Sequence, residues 1–263
     1  TSSVHNVISR IGKHADMDVS LIIPVHNEKN SIRKTVEDVH SALKAYPGME
    51  NVEIIVVDDA SRDGTRQQIP RLPGIRVLTN DLRRGYGHSL KKGIQAAAHE
   101  MIIITDGDGS YRADRVKFLL DAAQHNDLVV GNRVYLPGSS SRIRLAAREV
   151  LRWLAGLLTR KIIPDLNSGM RAFRKELIIK HLNLFPEGFS FTTTSSLLAL
   201  CSGSRVTYVP VHYQKRRGRS KMRGYHFFTI LLTIIRITFA FHPRRVIILT
   251  LGLMITGVIL WQL

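Results

Sequence analysis

Cysteine occurs once in the 263 residues, at position 201. A lone thiol excludes an intrachain disulfide and any cysteine-based zinc site, and it fits a reducing compartment. Acidic residues are scarce: 21 Asp and Glu stand against 38 Lys and Arg, a formal charge of +17. Such a surface attracts polyanions, whether nucleic acid, acidic lipid headgroups or phosphorylated substrates. No GxxxxGK[ST] occurs, which argues against a P-loop NTPase, and no GxGxxG follows the first apolar run, which argues against a dinucleotide dehydrogenase. Repeats and low-complexity segments are absent. Residues 1–18 are polar and mixed and lack the shape of a signal peptide. The sequence opens on Thr1, as a fragment or a processed product would.

Short apolar runs alternate with helical patterns. "VSLIIPVHNE" (19–28) reads as a buried strand stopped by Pro24. "NSIRKTVEDVHSALKAY" (30–46) places Ile32, Val36, Val39 and Leu43 at helical spacing. "VEIIVVDDAS", "IRVLTN", "MIIITDGD", "DLVVGNR" and "SRVTYVPVHY" read as further strands. "GHSLKKGIQAAAH" and "ADRVKFLLDAAQ" read as helices, and "SRIRLAAREVLRWLAGLLTRK" as a basic amphipathic one. "DLNSGMRAFRKELIIKHL" reads as a loop leading into a helix. Strand–helix alternation predicts an α/β fold, a parallel sheet covered on both faces. Ligands of such folds bind at the C-terminal edge of the strands.

Acids gather at that edge. Asp58 and Asp59 end one strand, and Asp106 and Asp108 end another. Residues two apart in an extended segment face the same side, so the latter two carboxylates repel unless a cation lies between them. Mg²⁺ or Mn²⁺ accepts such hard oxygens and is often completed by substrate phosphates. Gly107 and Gly109 are expected to leave room for a bulky ligand. Glu28 and Asp59 could accept from ribose hydroxyls or a base N–H, and the glycines of "RRGYGHS" could bring backbone N–H groups near phosphate. For Asp63 in "SRDGT", helix capping is the better reading.

The C-terminal region is apolar. In residues 225–241, His226, Thr229, Thr233 and Arg236 recur as one polar stripe, the pattern of an interfacial helix. Residues 246–263 carry no charge over 18 positions, which predicts a transmembrane helix. Arg244 and Arg245 just before it place that side in the cytoplasm. The expected organisation is an extension over 1–18, a catalytic domain over 19–224, an interfacial helix over 225–241 and a membrane span over 246–263. Before the helices, "QKRRGRSK" concentrates Lys215, Arg216, Arg217, Arg219 and Lys221, an anion clamp or a lipid-binding patch.

In this order, "SLIIPVHNE", "EIIVVDDASRDGT", "ITDGDGS", "VVGNR", "DLNSGMRAF" and "VPVHYQKRRGRSK" resemble the family 2 glycosyltransferases of GT-A fold. Within them the chain is similar to the polyprenol-phosphate glycosyltransferases, the group of dolichol-phosphate mannose synthase. The resemblance covers about residues 19–221. It implies a GT-A (Rossmann-like) α/β fold and an inverting transferase that moves a sugar from a GDP- or UDP-sugar to a polyprenyl (dolichyl or undecaprenyl) phosphate. The membrane is the expected setting, with the catalytic domain on its cytoplasmic face. It implies a nucleotide pocket of Pro24, His26, Glu28, Val57 and Asp59. Asp106 and Asp108 would hold Mg²⁺ or Mn²⁺, with Gly107 between them. Ser110 stands where many members carry a glutamine that also reaches the metal, and Ser190 where members carry a lysine. Arg133, Lys221 and a basic residue among Lys215, Arg216 and Arg217 would meet phosphates. Processive polysaccharide synthases of this fold carry a QxxRW motif that this sequence lacks. A transferase with another acceptor, and a non-catalytic basic membrane-anchored protein able to bind nucleic acid, are the rivals. The second gives no reason for the acids and pocket residues to occur together, so no nucleic-acid partner is expected. Oligomeric assembly stays open.

Overall fold

A computed structural model describes residues 17–135, 142–214 and 224–262. Strands β1 (Met17–Val25), β2 (Met49–Asp58), β3 (Ile75–Thr79), β4 (Met101–Ile104), β5 (Leu128–Tyr135), β6 (Arg171–Arg174) and β7 (Val206–Tyr213) form one sheet in the order β3-β2-β1-β4-β6-β5-β7. The β1–β2, β1–β4, β2–β3 and β5–β7 pairs are parallel, and β6 runs antiparallel to both β4 and β5. The mostly parallel α/β sheet expected from the alternation is present. Strand β6 is an addition, since that stretch reads as loop from its sequence. Pro24 sits inside β1, opposite Val57 of β2, rather than ending the strand.

Helices cover both faces. On one, α1 (Ile32–Lys44) and α4 (Val116–Ala123) bury Ile32, Val36, Val39, Leu43, Leu119 and Leu120 against β1 and β2 residues such as Leu21, Ile23, Ile54 and Val56. On the other, α3 (Tyr86–Ala96) and α7 (Phe191–Cys201) pack Leu90, Ile94, Phe191 and Leu198 over Ile22, Ile55, Ile102 and Ile104. Alternate residues of one strand thus serve opposite layers. Short helices α2 (Thr65–Gln68) and α6 (Lys175–Ile179) lie between these elements.

A third apolar cluster joins α5 (Arg142–Thr159) and α7 to the C-terminal helices α8 (His226–Phe241) and α9 (Pro243–Gln262). Leu151, Ala155 and Leu158 of α5 meet Ile230, Ile234 and Ile237 of α8 there. The polar stripe expected to face outward on α8 is partly turned inward: His226 and Thr233 are buried, while Phe228, Leu232, Ile235 and Phe239 are exposed. The helix therefore shows solvent a largely apolar face.

The expectation of a transmembrane helix at 246–263 needs correction. Among the described residues no helix is long and apolar enough to cross a membrane. The segment is helical, but its first turn belongs to the domain. Val246 is buried in the third cluster, and Arg245 donates to the carbonyls of Leu158 and Thr159 at 3.1 Å each.

Candidate functional site

The C-terminal ends of β1, β2 and β4 and the loops after them carry the acids and the nearby pocket. Asp108 is buried, and its Oδ1 accepts the Ser110 N–H at 3.0 Å, a local turn that fixes the carboxylate. Asp106 is half-buried and its Oδ1 accepts the Tyr86 phenol at 3.0 Å. Burial, then the Asp106 charge, push the Tyr86 phenol well above its ordinary pKa, so it stays a donor. Ser110 is fully buried. Its hydroxyl makes no hydrogen bond of normal geometry, although it lies close enough to Tyr213 to bear on that phenol.

Among the described residues no three His, Cys, Asp or Glu side chains gather as a metal cage. Two hard carboxylates and a hydroxyl nevertheless fit Mg²⁺ or Mn²⁺, provided bound phosphate oxygens complete the coordination. Gly107, expected to leave room for a ligand, does not. A Cβ there would lie 2.5 Å from Val25 Cγ1 and 3.3 Å from Ile23 Cγ2, so the core needs this glycine. Gly109 instead supplies a left-handed turn, with φ at +73°.

The nucleotide-pocket expectations divide. At the ends of β1, β2 and β3 lies a pocket of about 630 Å³ lined by His26, Asn27, Arg62, Arg66, Asn80, Asp81 and Arg83, among others. His26 lines this pocket. Its Nδ1 donates to the Asp59 carbonyl at 2.7 Å, leaving Nε2 to accept from Asn27 at 3.3 Å. Val57 is fully buried beneath Gly93, so its side chain is core, not pocket. Pro24 is likewise buried in the sheet. Glu28 is buried at the start of α1, where its carbonyl accepts from Ser31 and Ile32 and its carboxylate meets Ser31 Oγ at 3.5 Å.

Asp59 does structural work. Its carboxylate accepts from Asn80 Nδ2 at 2.9 Å and from the N–H groups of Arg84 and Gly85 at 2.8 and 2.9 Å. Those N–H groups, expected near phosphate, are already engaged. The His88 N–H goes to the Glu187 carbonyl, and a Cβ on Gly87 would lie 2.1 Å from the Pro186 carbonyl. The glycine pair therefore seats the 186–188 loop. Asp63, expected to cap a helix, instead accepts from the N–H groups of Lys29 and Thr65, while Gly64 precedes α2 with no side-chain cap.

The pocket residues that the motifs did not single out are Arg62, Arg66, Asn80, Asp81 and Arg83. Asn80, Asp81 and Arg83 follow β3, another strand whose C-terminal end reaches the same edge. That position was the available signal.

Arg133, from β5, is held rather than extended. Its Nε and Nη2 grip both oxygens of buried Asp165 at 2.6 and 2.7 Å, and its guanidinium lies 5.5 Å from the Tyr213 ring centre. Burial raises the Asp165 carboxyl, but the charge and hydrogen bond of Arg133, then Arg148, outweigh it and hold it below the carboxylate range. Sequence reasoning missed Asp165, although it opens "DLNSGMRAF". Ser190 is buried at the start of α7, with its carbonyl taken by Thr194. Lys215, Arg216, Arg217 and Lys221 lie outside the described residues.

The chain has known relatives. Residues 20–182 match a family model described as glycosyl transferase family 2. An undecaprenyl-phosphate mannosyltransferase of Micrococcus luteus is 28% identical over 79% of this chain and 88% of its own length. A polyprenol monophosphomannose synthase of Mycolicibacterium smegmatis is 30% identical over 78% of this chain and 80% of its own. In structure, glucosyl-3-phosphoglycerate synthase from Mycobacterium tuberculosis, solved with Mn²⁺, UDP and phosphoglyceric acid, superposes with a TM-score of 0.66. It covers 88% of this chain and 80% of that one at 18% identity, a likeness of fold.

Proposed function

Because the chain belongs to glycosyl transferase family 2, we propose that it moves a sugar from a nucleoside diphosphate donor to a polyprenyl phosphate at a membrane surface. The observation that carries this reading is the pair Asp106 and Asp108 after β4, on the sheet edge where the ends of β1, β2 and β3 line a pocket large enough for a nucleoside. The relatives named for polyprenyl-phosphate acceptors support the acceptor class.

His26, Asn27 and the arginines Arg62, Arg66 and Arg83 would bind the nucleoside and its nearer phosphate. A divalent ion, Mg²⁺ or Mn²⁺, when held by Asp106 and Asp108 with Ser110 beside them, would neutralise charge on the leaving diphosphate. Arg133, oriented by Asp165, would add a fixed cation where phosphate charge develops. The acceptor phosphate is anionic at neutral pH, so the protein has to place it rather than deprotonate it. Direct displacement inverts the anomeric carbon. The basic residues at 215–221 are proposed to assist at phosphate. The test is a panel of GDP- and UDP-sugars with undecaprenyl and dolichyl phosphate, scored for radiolabelled lipid with and without EDTA. EDTA-sensitive lipid product from at least one donor is expected. Transfer only to water-soluble acceptors would overturn the acceptor assignment.

Membrane attachment is proposed to occur through the outward face of α8, continued by exposed Ile248, Leu251, Met254 and Ile255 of α9. Deleting the helices would be an unclean test, because Ile230, Ile234 and Ile237 leave the core with them. Phe228→Asp with Leu232→Asp is clean, since both side chains are exposed. Each buried apolar side chain is worth about 1.5–3 kcal/mol, so vesicle binding should fall at least about tenfold with the melting temperature unchanged. Unaltered co-sedimentation with vesicles would remove α8 from the membrane.

A further inference from the structure

The stretch "DLNSGMR" (165–171) has so far explained only Asp165. Its central residues lie against the other half of the site. A Cβ on Gly169 would stand 2.4 Å from Asp106 Oδ2, 2.6 Å from Oδ1 and 2.7 Å from Cγ. All three distances are far below any tolerated contact. The Asp106 carboxylate therefore lies directly against the Gly169 backbone, and any side chain there would have to push it away.

We propose that the Ser168–Gly169 peptide is the seat of the Asp106 carboxylate, and that Arg171 is the positioning residue that keeps this seat rigid. This rests on the metal role given to Asp106 above.

The peptide is fixed from two sides. The Gly169 N–H donates to the Tyr111 phenol oxygen at 2.8 Å, and Ser168 Oγ meets the same oxygen at 3.2 Å. The Ser168 carbonyl accepts Arg171 Nη2 at 2.5 Å and Nε at 3.1 Å. Arg171 is itself fully buried, and its Nη1 donates to the Thr192 carbonyl at 2.8 Å, Ser195 Oγ at 2.6 Å and Ser196 Oγ at 3.2 Å.

That arrangement is costly. Among the described residues Arg171 has no carboxylate in ion-pair contact, and burying a cation carries a desolvation penalty. Helix α7 compensates with the Thr192 carbonyl and the Ser195 and Ser196 hydroxyls, all on buried residues. An apolar side chain facing an apolar helix would serve packing alone at lower cost. A guanidinium instead grips one carbonyl through two N–H groups, a geometry that fixes direction as well as distance. On the opposite side the Tyr86 phenol holds Asp106 Oδ1. The carboxylate is thus set between a phenol and a clamped peptide before any ligand arrives, the pre-organisation that a carboxylate ligand needs.

The test measures Mn²⁺ binding without turnover, by the electron paramagnetic resonance signal of free Mn²⁺, with GDP and separately UDP present. Gly169→Ala is expected to weaken Mn²⁺ binding at least tenfold, while nucleotide binding in EDTA stays within twofold of wild type. Arg171→Lys keeps the charge but loses the two-pronged grip, and is expected to weaken Mn²⁺ three- to tenfold. A role in stability alone would lower the melting temperature of Arg171→Lys and leave its Mn²⁺ affinity intact. Should either variant fail to fold, Tyr111→Phe keeps the ring and frees the Gly169 N–H, with a threefold or larger weakening expected. Mn²⁺ affinity within twofold of wild type in the folded variants overturns the seat. Wild-type protein that takes up no Mn²⁺ with either nucleotide overturns the metal reading itself.

Discussion

Asp108→Asn should transfer sugar at least roughly 100-fold more slowly than the wild-type chain, the loss typical of removing one electrostatic contact to a developing charge. It should melt at the same temperature. The two halves of this result have separate causes. The folded state uses Asp108 as an acceptor for the Ser110 N–H, and an asparagine side-chain oxygen can accept that bond equally well. The proposed chemistry uses Asp108 as a negative charge, which asparagine lacks. Raising Mn²⁺ from micromolar to millimolar should restore part of the rate if the defect lies in holding the ion. Radiolabelled lipid product and a thermal melt check both halves. Wild-type turnover in the folded variant would remove Asp108 from the metal site.

Asp165→Ala should be among the most destabilising single substitutions in the molecule. Asp165 and Arg133 are both largely buried, and the pair is bidentate. Removing one partner of a buried pair costs roughly 3–5 kcal/mol, because the remaining charge is stranded. At about 2–4 °C per kcal/mol for a chain of this size, the melting temperature should fall by roughly 6–20 °C. The double variant Asp165→Leu with Arg133→Met should recover most of that loss, since apolar replacements of similar volume remove the stranded charge. Transfer should not recover with it, because the cation proposed to meet phosphate has gone. Recovered activity in the double variant would make the pair purely structural. The sign of the pH dependence follows from the depressed Asp165 carboxyl. The pair's contribution is complete above the ordinary carboxylate range and is lost as the pH falls through the lower folded value.

Much of this was legible in the sequence because the relevant signals are local. A run such as "EIIVV" has one buried reading, and acids after such runs have one place to go, the sheet edge. Asp106 and Asp108 were placed at that edge this way, whereas His26 entered only through the family resemblance. Other features depended on contacts between distant segments. Strand β6 is only "RAFR", too short to show alternation, and is a strand because β4 and β5 flank it. Gly107 and Val57 sit among motif residues, yet alternation along β2 turns Val57 into the core, and the turn after β4 packs Gly107 against Val25 and Ile23. Asp59 lies beside Asp58 at the same edge, but the loop after β3 takes up its oxygens. The stripe on α8 was correctly periodic. Its direction was not legible, because the α5 and α7 surfaces decide which side is buried.

The placement of β6 also bears on how the chain folds. Residues 17–104 contain every strand of the β3-β2-β1-β4 half, so that half can pair as soon as it leaves the ribosome. Its β4 edge then stays bare, with apolar Ile102 to Ile104 exposed, until residues 171–174 have been made. An unpaired apolar edge invites pairing with other chains. Newly made chains should therefore aggregate most when synthesis stalls between β4 and β6. Arrival of the strand that follows Gly169 would close that edge and seat Asp106 in the same event, so that a chain escaping aggregation is also one whose site has been assembled.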